Sequence, residues 1–461
     1  MRDAERVVVA GAGLAGLRTA EELRKRGFGG RITLAGAETR PPYDRPPLSK
    51  KVLTEGVDPS LHADFGALEV DFRPGEAATG IDGGVLVTER GRYPFDHLVA
   101  ATGAEPVALP GPGRQRFLRT YDDALALRGL MRPGLRLAIA GAGWIGAELA
   151  TAAARYGCQV TVVEAAPAPL AAAVGAVAGA RTAAWYAAAG VELRTETAVA
   201  SVEPGGLALD GGHWLAADEI VTAVGVRPAV GWLAGSGVRL DNGVAVDQGL
   251  RASLPGVYAV GDCAAFESRL FGRRLRFEHW DVALHAPEVA AASILGADEA
   301  FDPVPYFWSE QFGRMLQYAG YHGAADRLAW RGDPAAEKWA ACWLSGDRLV
   351  AIMTVDRPRD LLQGRRVIAS GDPVDVTRLT DPAIPVRDAL AALSRGPRRP
   401  TASRSRDSTA GSEAGKRGVP GGRPPGPTQV WQGSWCGTFE WWHRLTPRPT
   451  LSSANGCHSL R

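Results

Sequence analysis

The stretch VVVAGAGLAGL, residues 7–17, decides the fold. Val7 to Ala10 are consecutive apolar residues, the pattern of a strand covered on both faces in a parallel sheet. Gly11, Gly13 and Gly16 follow at GxGxxG spacing, and helical periodicity runs from Leu17 to Arg26. In such a strand–turn–helix unit the first glycine permits the tight turn. The second lets a pyrophosphate approach the backbone, and the third lets the helix pack on the strand. The helix N-terminus adds unpaired N–H groups and a positive dipole for phosphates. Arg31 to Ala35 reads as a second strand, and Glu38 stands 22 residues past Gly16, where a carboxylate holds a ribose hydroxyl. The unit reads as a nucleotide site.

The pattern then recurs. Leu135 to Ala140 is apolar, and GAGWIGAELA, residues 141–150, carries Gly141, Gly143 and Gly146 ahead of a helix reaching about Tyr156. Gln159 to Val163 is the next strand, with Glu164 at its end, 18 residues past Gly146. Two complete fingerprints imply two sites for adenine dinucleotides. Each unit also has a later buried strand that runs into a glycine-bearing turn. These are Asp96–Ala101 into ATGAEP (residues 101–106), and Glu219–Val226 into the loop Gly225–Pro228. Such a turn either brings backbone against a cofactor or is a plain loop.

Between the fingerprints, the prolines of RPPYDRPPLSKKVL, residues 40–53, forbid a regular strand and mark a rigid loop entering a short helix. Gly84–Glu89 and Arg92–Phe95 read as paired strands. In GVYAVGDCA, residues 256–264, Asp262 directly follows a strand and a glycine. It is either an acceptor for a ribityl chain or an ordinary turn aspartate. From Tyr306 to about Leu393 short strands near 316–321, 328–331, 338–344 and 349–355 precede a helix from about Arg359, a small α+β domain.

The chain has 461 residues, too many for one core, and a formal net charge of +2. That balance gives no case for nucleic acid or a membrane surface as partner. No run of 18 apolar residues exists and the start is too short in apolar residues for a signal peptide, so a cytoplasmic location is expected. Cys158, Cys263, Cys342, Cys436 and Cys457 show no metal-ligand spacing, which predicts neither a metal site nor structural disulfides. Arg outnumbers Lys 47 to 5, a bias that goes with the abundant Ala and Gly and weakens arguments from composition. Beyond Gly396 the sequence turns to Ser, Arg, Gly and Pro without periodicity, and four of the 13 Trp fall in the last 31 residues. Residues 396–461 are expected to form a disordered or non-native tail, dispensable for cofactor binding, the alternative being an interaction tail built on its clustered aromatics.

Taken together, PPYDRPPLSK, GAGWIGAELA, GVYAVGDCA, RFEHWDVALHA and YFWSEQFG resemble the FAD-dependent, NADH-linked ferredoxin reductases of the putidaredoxin and rubredoxin reductase type, within the pyridine nucleotide-disulfide oxidoreductase superfamily. The resemblance spans about Arg6 to Leu393. It implies an α/β fold of two Rossmann-like dinucleotide-binding domains, glutathione-reductase-like, plus a small C-terminal α+β domain. The FAD domain would comprise residues 1–112 and 242–310, the NAD domain 113–241, and the interface domain 311–395.

Carried over residue by residue, Gly11, Gly13, Ala15 and Gly16 would meet the FAD pyrophosphate and Glu38 the adenosine ribose. Arg45, Lys50 and Arg119 would lie along FAD, Asp262 at its ribityl or phosphate region, and Trp280 at the pyrimidine end of the flavin. Gly141, Gly143, Gly146, Glu164 and Gly225 would form the NADH site, with Glu148 near the nicotinamide. Lys50 and Glu148 are expected to pair beside the flavin and carry the catalytic electrostatics. Where the family usually has an Arg after Pro169–Leu170, this chain reads Ala171 to Ala173, and Ala229 replaces the usual Asn.

Residues 40–53 contain no cysteine, so the thiol that disulfide- and peroxide-reducing relatives place there is missing. Electrons should therefore leave the flavin without a protein thiol. The implied activity passes hydride from NADH to FAD and single electrons to a ferredoxin-type iron–sulfur protein that supplies a monooxygenase or dioxygenase. The chain would act as a monomer or weak dimer. Two other outputs stay open. One is an NADH oxidase or quinone reductase, the other a redox-gated binding protein resembling apoptosis-inducing factor. The basic run Arg273, Arg274 and Arg276 is expected either to dock an acidic partner or to be a solvated loop.

Overall fold

The computed structural model describes residues 5–391, and the tail expected beyond Gly396 lies outside them. The opening stretch folds as read. Arg6–Ala10 is the middle strand of a five-stranded parallel sheet, flanked by Arg31–Gly36 and Val70–Pro74 on one side and His97–Ala100 and Val257–Ala259 on the other. Val7, Val9, Leu34, Val99 and Ala259 are fully buried, as expected for strands covered on both faces. The helix Leu14–Lys25 covers one side of the sheet and packs on Trp280–Ile294. It starts three residues earlier than periodicity placed it, because Leu14 to Gly16 are helical although they belong to the glycine fingerprint.

The second fingerprint builds a separate four-stranded parallel sheet in the order Glu192–Arg194, Gln159–Val163, Arg136–Ala140, Glu219–Thr222, with the helix Trp144–Arg155 behind it. The first sheet thus takes strands from both sides of the second in sequence, and the second unit is an insertion into the first. The two glycine-bearing turns that follow the late strands do more than mirror each other. Ala104–Pro106 and Val226–Pro228 pair directly as an antiparallel ribbon that joins the two units. Gly84–Glu89 and Arg92–Phe95 form the expected pair as Val85–Thr88 and Arg92–Pro94, joined by a third strand, Ala78–Asp82.

The C-terminal sheet is antiparallel, in the order Tyr306–Gln311, Arg314–Gly320, Arg348–Val355, Trp339–Ser345, Arg327–Arg331, and the helix Pro358–Ser370 packs on it. Tyr306–Gln311 pairs in register with the next strand, Ser309 opposite Leu316. The sheet therefore begins at Tyr306, five residues before the boundary expected at 310/311. Among the described residues no helix is long and apolar enough to cross a membrane.

Candidate active site

Two glycines fix the first cradle. Gly11 has φ +115°, and a Cβ there would lie 2.2 Å from the Ala101 carbonyl oxygen. A Cβ on Gly16 would sit 1.9 Å from the Gly11 carbonyl oxygen, so helix and turn touch backbone to backbone. Both are excluded to any other residue by contact distance alone. Gly13 opens instead toward the cleft, where the nearest atom to an added Cβ is the Arg45 guanidinium. Gly141 and Gly146 repeat these close approaches in the second unit, while a Cβ on Gly143 would meet nothing within 4 Å, leaving open space at that helix start.

One cleft of about 1070 Å³, counting space open to solvent, gathers Gly13, Ala15, Arg45, Lys50, Arg119, Glu148, Asp262 and Trp280. These come from six separate stretches of chain. Asp262 is held by the Arg119 guanidinium at 2.9 Å, and the Arg276 guanidinium donates to its backbone carbonyl at 3.1 Å. Glu38 lies at the end of its strand, accepting from the Tyr43 hydroxyl at 2.6 Å and from Arg45 at 2.9 Å. The Trp280 indole N–H donates to the Asp44 carboxylate at 2.7 Å. Burial raises the Asp44 carboxyl above its ordinary range, and the Trp280 N–H pulls in the other direction.

The expected Lys50–Glu148 pair is present. The Lys50 ammonium stands 2.8 Å from Glu148 Oε2, and the carboxylate side chain is 3% exposed. Ser49 also donates to Oε2, and the Ser309 hydroxyl donates to Oε1 at 2.5 Å. A buried carboxylate is tolerated because both oxygens are met by donors, one of them cationic.

The second cradle holds Gly141, Gly143, Gly146, Gly225 and Glu164 apart from this cleft, though Ile145 and Glu148 from its helix reach into it. Glu164 Oε2 accepts from the Ala142 N–H at 2.7 Å, and Oε1 from the Ala166 N–H at 2.8 Å. Its carboxylate therefore braces the glycine turn while keeping further lone pairs free to accept hydrogen bonds. Gly225 has φ +118° and opens the ribbon that joins the units.

Sequence reading missed Ser49, Asp44, Phe307, Trp308 and Ser309, all at or beside the cleft. Each lies in a motif quoted for the resemblance, yet nothing in its local spacing assigns it a contact. The basic run is a correction. Arg276, with 9% of its side chain exposed, is bound to Asp262 and Glu278, and Arg274 to the Val246 and Ala265 carbonyls and Glu267. Arg273 lies over the Tyr321 ring. The run is therefore no solvated loop: Arg273–Leu275 is a strand, two of the three cations hold the fold, and Arg273 is the exposed one.

Cys158, Cys263 and Cys342 are buried and unpaired, and burial pushes the Cys263 thiol up and Cys342 up to about 12. No thiol lines the cleft, and no cluster of metal-ligating side chains exists among the described residues.

This two-cradle arrangement matches a known family. The family described as pyridine nucleotide-disulphide oxidoreductase matches residues 5–286, and the reductase C-terminal family matches residues 306–390. The ferredoxin–NAD(+) reductase component of the anthranilate 1,2-dioxygenase system of Burkholderia cepacia is 36% identical over 84% of this chain and all of its own length. Among solved structures, Fdr9 is 48% identical with a TM-score of 0.81, over 83% of this chain and 99% of its own. Putidaredoxin reductase in its covalent complex with putidaredoxin is 30% identical with a TM-score of 0.80, over 84% and 98%. The chain belongs to the pyridine nucleotide-disulphide oxidoreductase family. Within it, the chain falls with the FAD-dependent ferredoxin reductases of the putidaredoxin reductase type, as the resemblance implied.

Proposed function

We propose that the cleft holds FAD, that the second cradle presents NADH to it, and that electrons pass to a ferredoxin-type iron–sulfur protein supplying a monooxygenase or dioxygenase. The residues present fit the cofactor. The Gly11–Gly16 turn clears backbone for a pyrophosphate, Arg45 and Arg119 border it, and Glu38 stands where a ribose would reach. FAD supplies the redox chemistry, accepting hydride and releasing electrons one at a time.

The protein's share is position and charge. Gly13 and Ala15 admit the pyrophosphate, Asp262 is fixed by Arg119 to accept from the ribityl chain, and Asp44 locks the Trp280 indole at one wall. Lys50 stabilises negative charge that develops during reduction, and Glu148 balances that cation beforehand. Glu164 receives the adenosine ribose of NADH beside Gly141, Gly143, Gly146 and Gly225. In this reading residues 1–112 and 242 to just before Tyr306 bind FAD, 113–241 bind NADH, and the C-terminal sheet closes the cleft through Phe307 and Trp308. The protein works in the cytoplasm, where NADH is supplied.

The observation that carries the reading is the buried Lys50–Glu148 pair in a cleft without a thiol. It sets charge beside a redox cofactor, and among the described residues no thiol stands in the cleft to take electrons. Anaerobic mixing of the holoprotein with NADH, followed by turnover with and without an added ferredoxin, tests it. Flavin bleaching and ferredoxin-dependent turnover are expected. Oxygen uptake unaffected by ferredoxin would replace this reading with an NADH oxidase.

A further inference from the structure

The helix Trp144–Arg155 and the strand Tyr306–Gln311 are joined along one line. Trp144, Glu148 and Thr151 lie at i, i+4 and i+7, one stripe of the helix. Trp144 packs on Phe307 with ring centroids 4.8 Å apart, Glu148 accepts from Ser309, and Thr151 Oγ1 accepts from the Phe312 N–H at 3.0 Å. Phe307, Ser309 and Gln311 share one face of their strand because side chains alternate. Ser309 and Gln311 are both fully buried, while Glu310 between them is exposed.

Gln311 Nε2 donates to Ser309 Oγ at 3.0 Å. A hydroxyl has one proton, and with its oxygen already accepting from the amide, that proton goes to Glu148 Oε1. The order of donation is therefore fixed from Gln311 through Ser309 to Glu148, whose other oxygen meets Lys50. From this we infer that Ser309, polarised by Gln311, is a positioning residue that holds the Glu148 carboxylate aimed at Lys50. The C-terminal sheet thereby helps set the charge beside the flavin. This inference rests on the function proposed above for the cleft.

Removing the Ser309 hydroxyl leaves Oε1 buried without its donor and frees the carboxylate to turn from Lys50. Lys50 is then less compensated, and reduced flavin is favoured. In the Ser309→Ala holoprotein the flavin midpoint potential, measured by equilibration with reference dyes and a chemical reductant, should rise by a tenfold change in the reduction equilibrium. That is about 30 mV for a two-electron couple. Ser309→Thr, which restores the hydroxyl, should return the potential toward the parent value.

In a Glu148→Gln background Ser309→Ala should add nothing, since the two act as one unit. If Ser309→Ala does not retain FAD, Gln311→Leu keeps the hydroxyl, removes its polarising donor and should move the potential the same way by less. A potential unchanged in Ser309→Ala, or in Gln311→Leu where that variant stands in, overturns the inference. So does an equal shift with and without Glu148. The dye measurement uses neither NADH nor ferredoxin, so a failure of the proposed activity shows separately, as parent holoprotein that NADH does not reduce.

Discussion

Replacing the 2′-hydroxyl of the coenzyme by a phosphate tests the second cradle directly. Glu164 is half-buried, braced by the Ala142 and Ala166 N–H groups, and cannot swing aside without unpairing both. At about 5 Å two unit charges repel by ~3 kcal/mol at an effective dielectric of 20 and by ~0.8 kcal/mol in water. The half-buried setting lies between, so a discrimination of about 1.4 kcal/mol or more, tenfold in specificity, is expected in favour of NADH. Ala165 to Ala173 offer no cation to compensate a phosphate. The assay is kcat/KM for NADH and NADPH with ferricyanide as acceptor, at fixed ionic strength because exposed charges are screened. Glu164→Gln keeps an acceptor for the turn and removes the charge, so it should narrow the gap chiefly by improving NADPH. Equal constants in the parent protein, or an unchanged ratio in the variant, would refute the reasoning.

Lys50→Met should slow flavin reduction by NADH and lower the flavin potential, since it removes the cation and strands Glu148; stopped-flow bleaching and dye equilibration check both. His279 titrates against the fold. Burial holds it down from its ordinary 6.5 to about 4, with Asp262 opposing the shift, and its Nδ1 is sealed from water without a partner. A lowered histidine contributes stability that is complete above 6.5 and is lost as pH falls toward 4, about 3 kcal/mol in all. Urea midpoints should drop over that window and drop less in His279→Gln. Changing Arg274 and Arg276 to Gln should lower ferredoxin and ferricyanide turnover together, because these side chains hold Asp262 and the neighbouring strands; a selective loss with ferredoxin would restore a docking role.

How far a sequence reveals its own site depends on whether each contact is local. Gly16 was legible because its close approach to the Gly11 carbonyl is fixed within six residues of chain, and Gly11 because the turn itself demands its positive φ, whatever the later contact with Ala101. Val7–Ala10 was legible because a strand covered on both faces must be apolar throughout. Lys50 and Glu148 lie nearly a hundred residues apart, and their pairing came from the resemblance rather than from spacing; the structure brings them to 2.8 Å. The arginine run misled because a cluster of like charges reads as exposed until its partners are known. Glu267 is an ordinary acid in the sequence and becomes the partner of Arg274 only when strand Arg273–Leu275 pairs with Ala264–Ser268, and the Asp262 backbone carbonyl that Arg276 meets carries no sequence signal at all.

Ser309 was the least legible, and the reason is physical. A serine in a strand is unremarkable, and its hydroxyl matters only because strand alternation, the helix stripe of Trp144 and Thr151, and the docking of the C-terminal sheet on that helix all direct it at a single carboxylate oxygen. Each of those three conditions is satisfied by many serines. Their coincidence is a property of the assembled fold, which is why the charge beside the cofactor depends on a residue far away in sequence from either member of the pair.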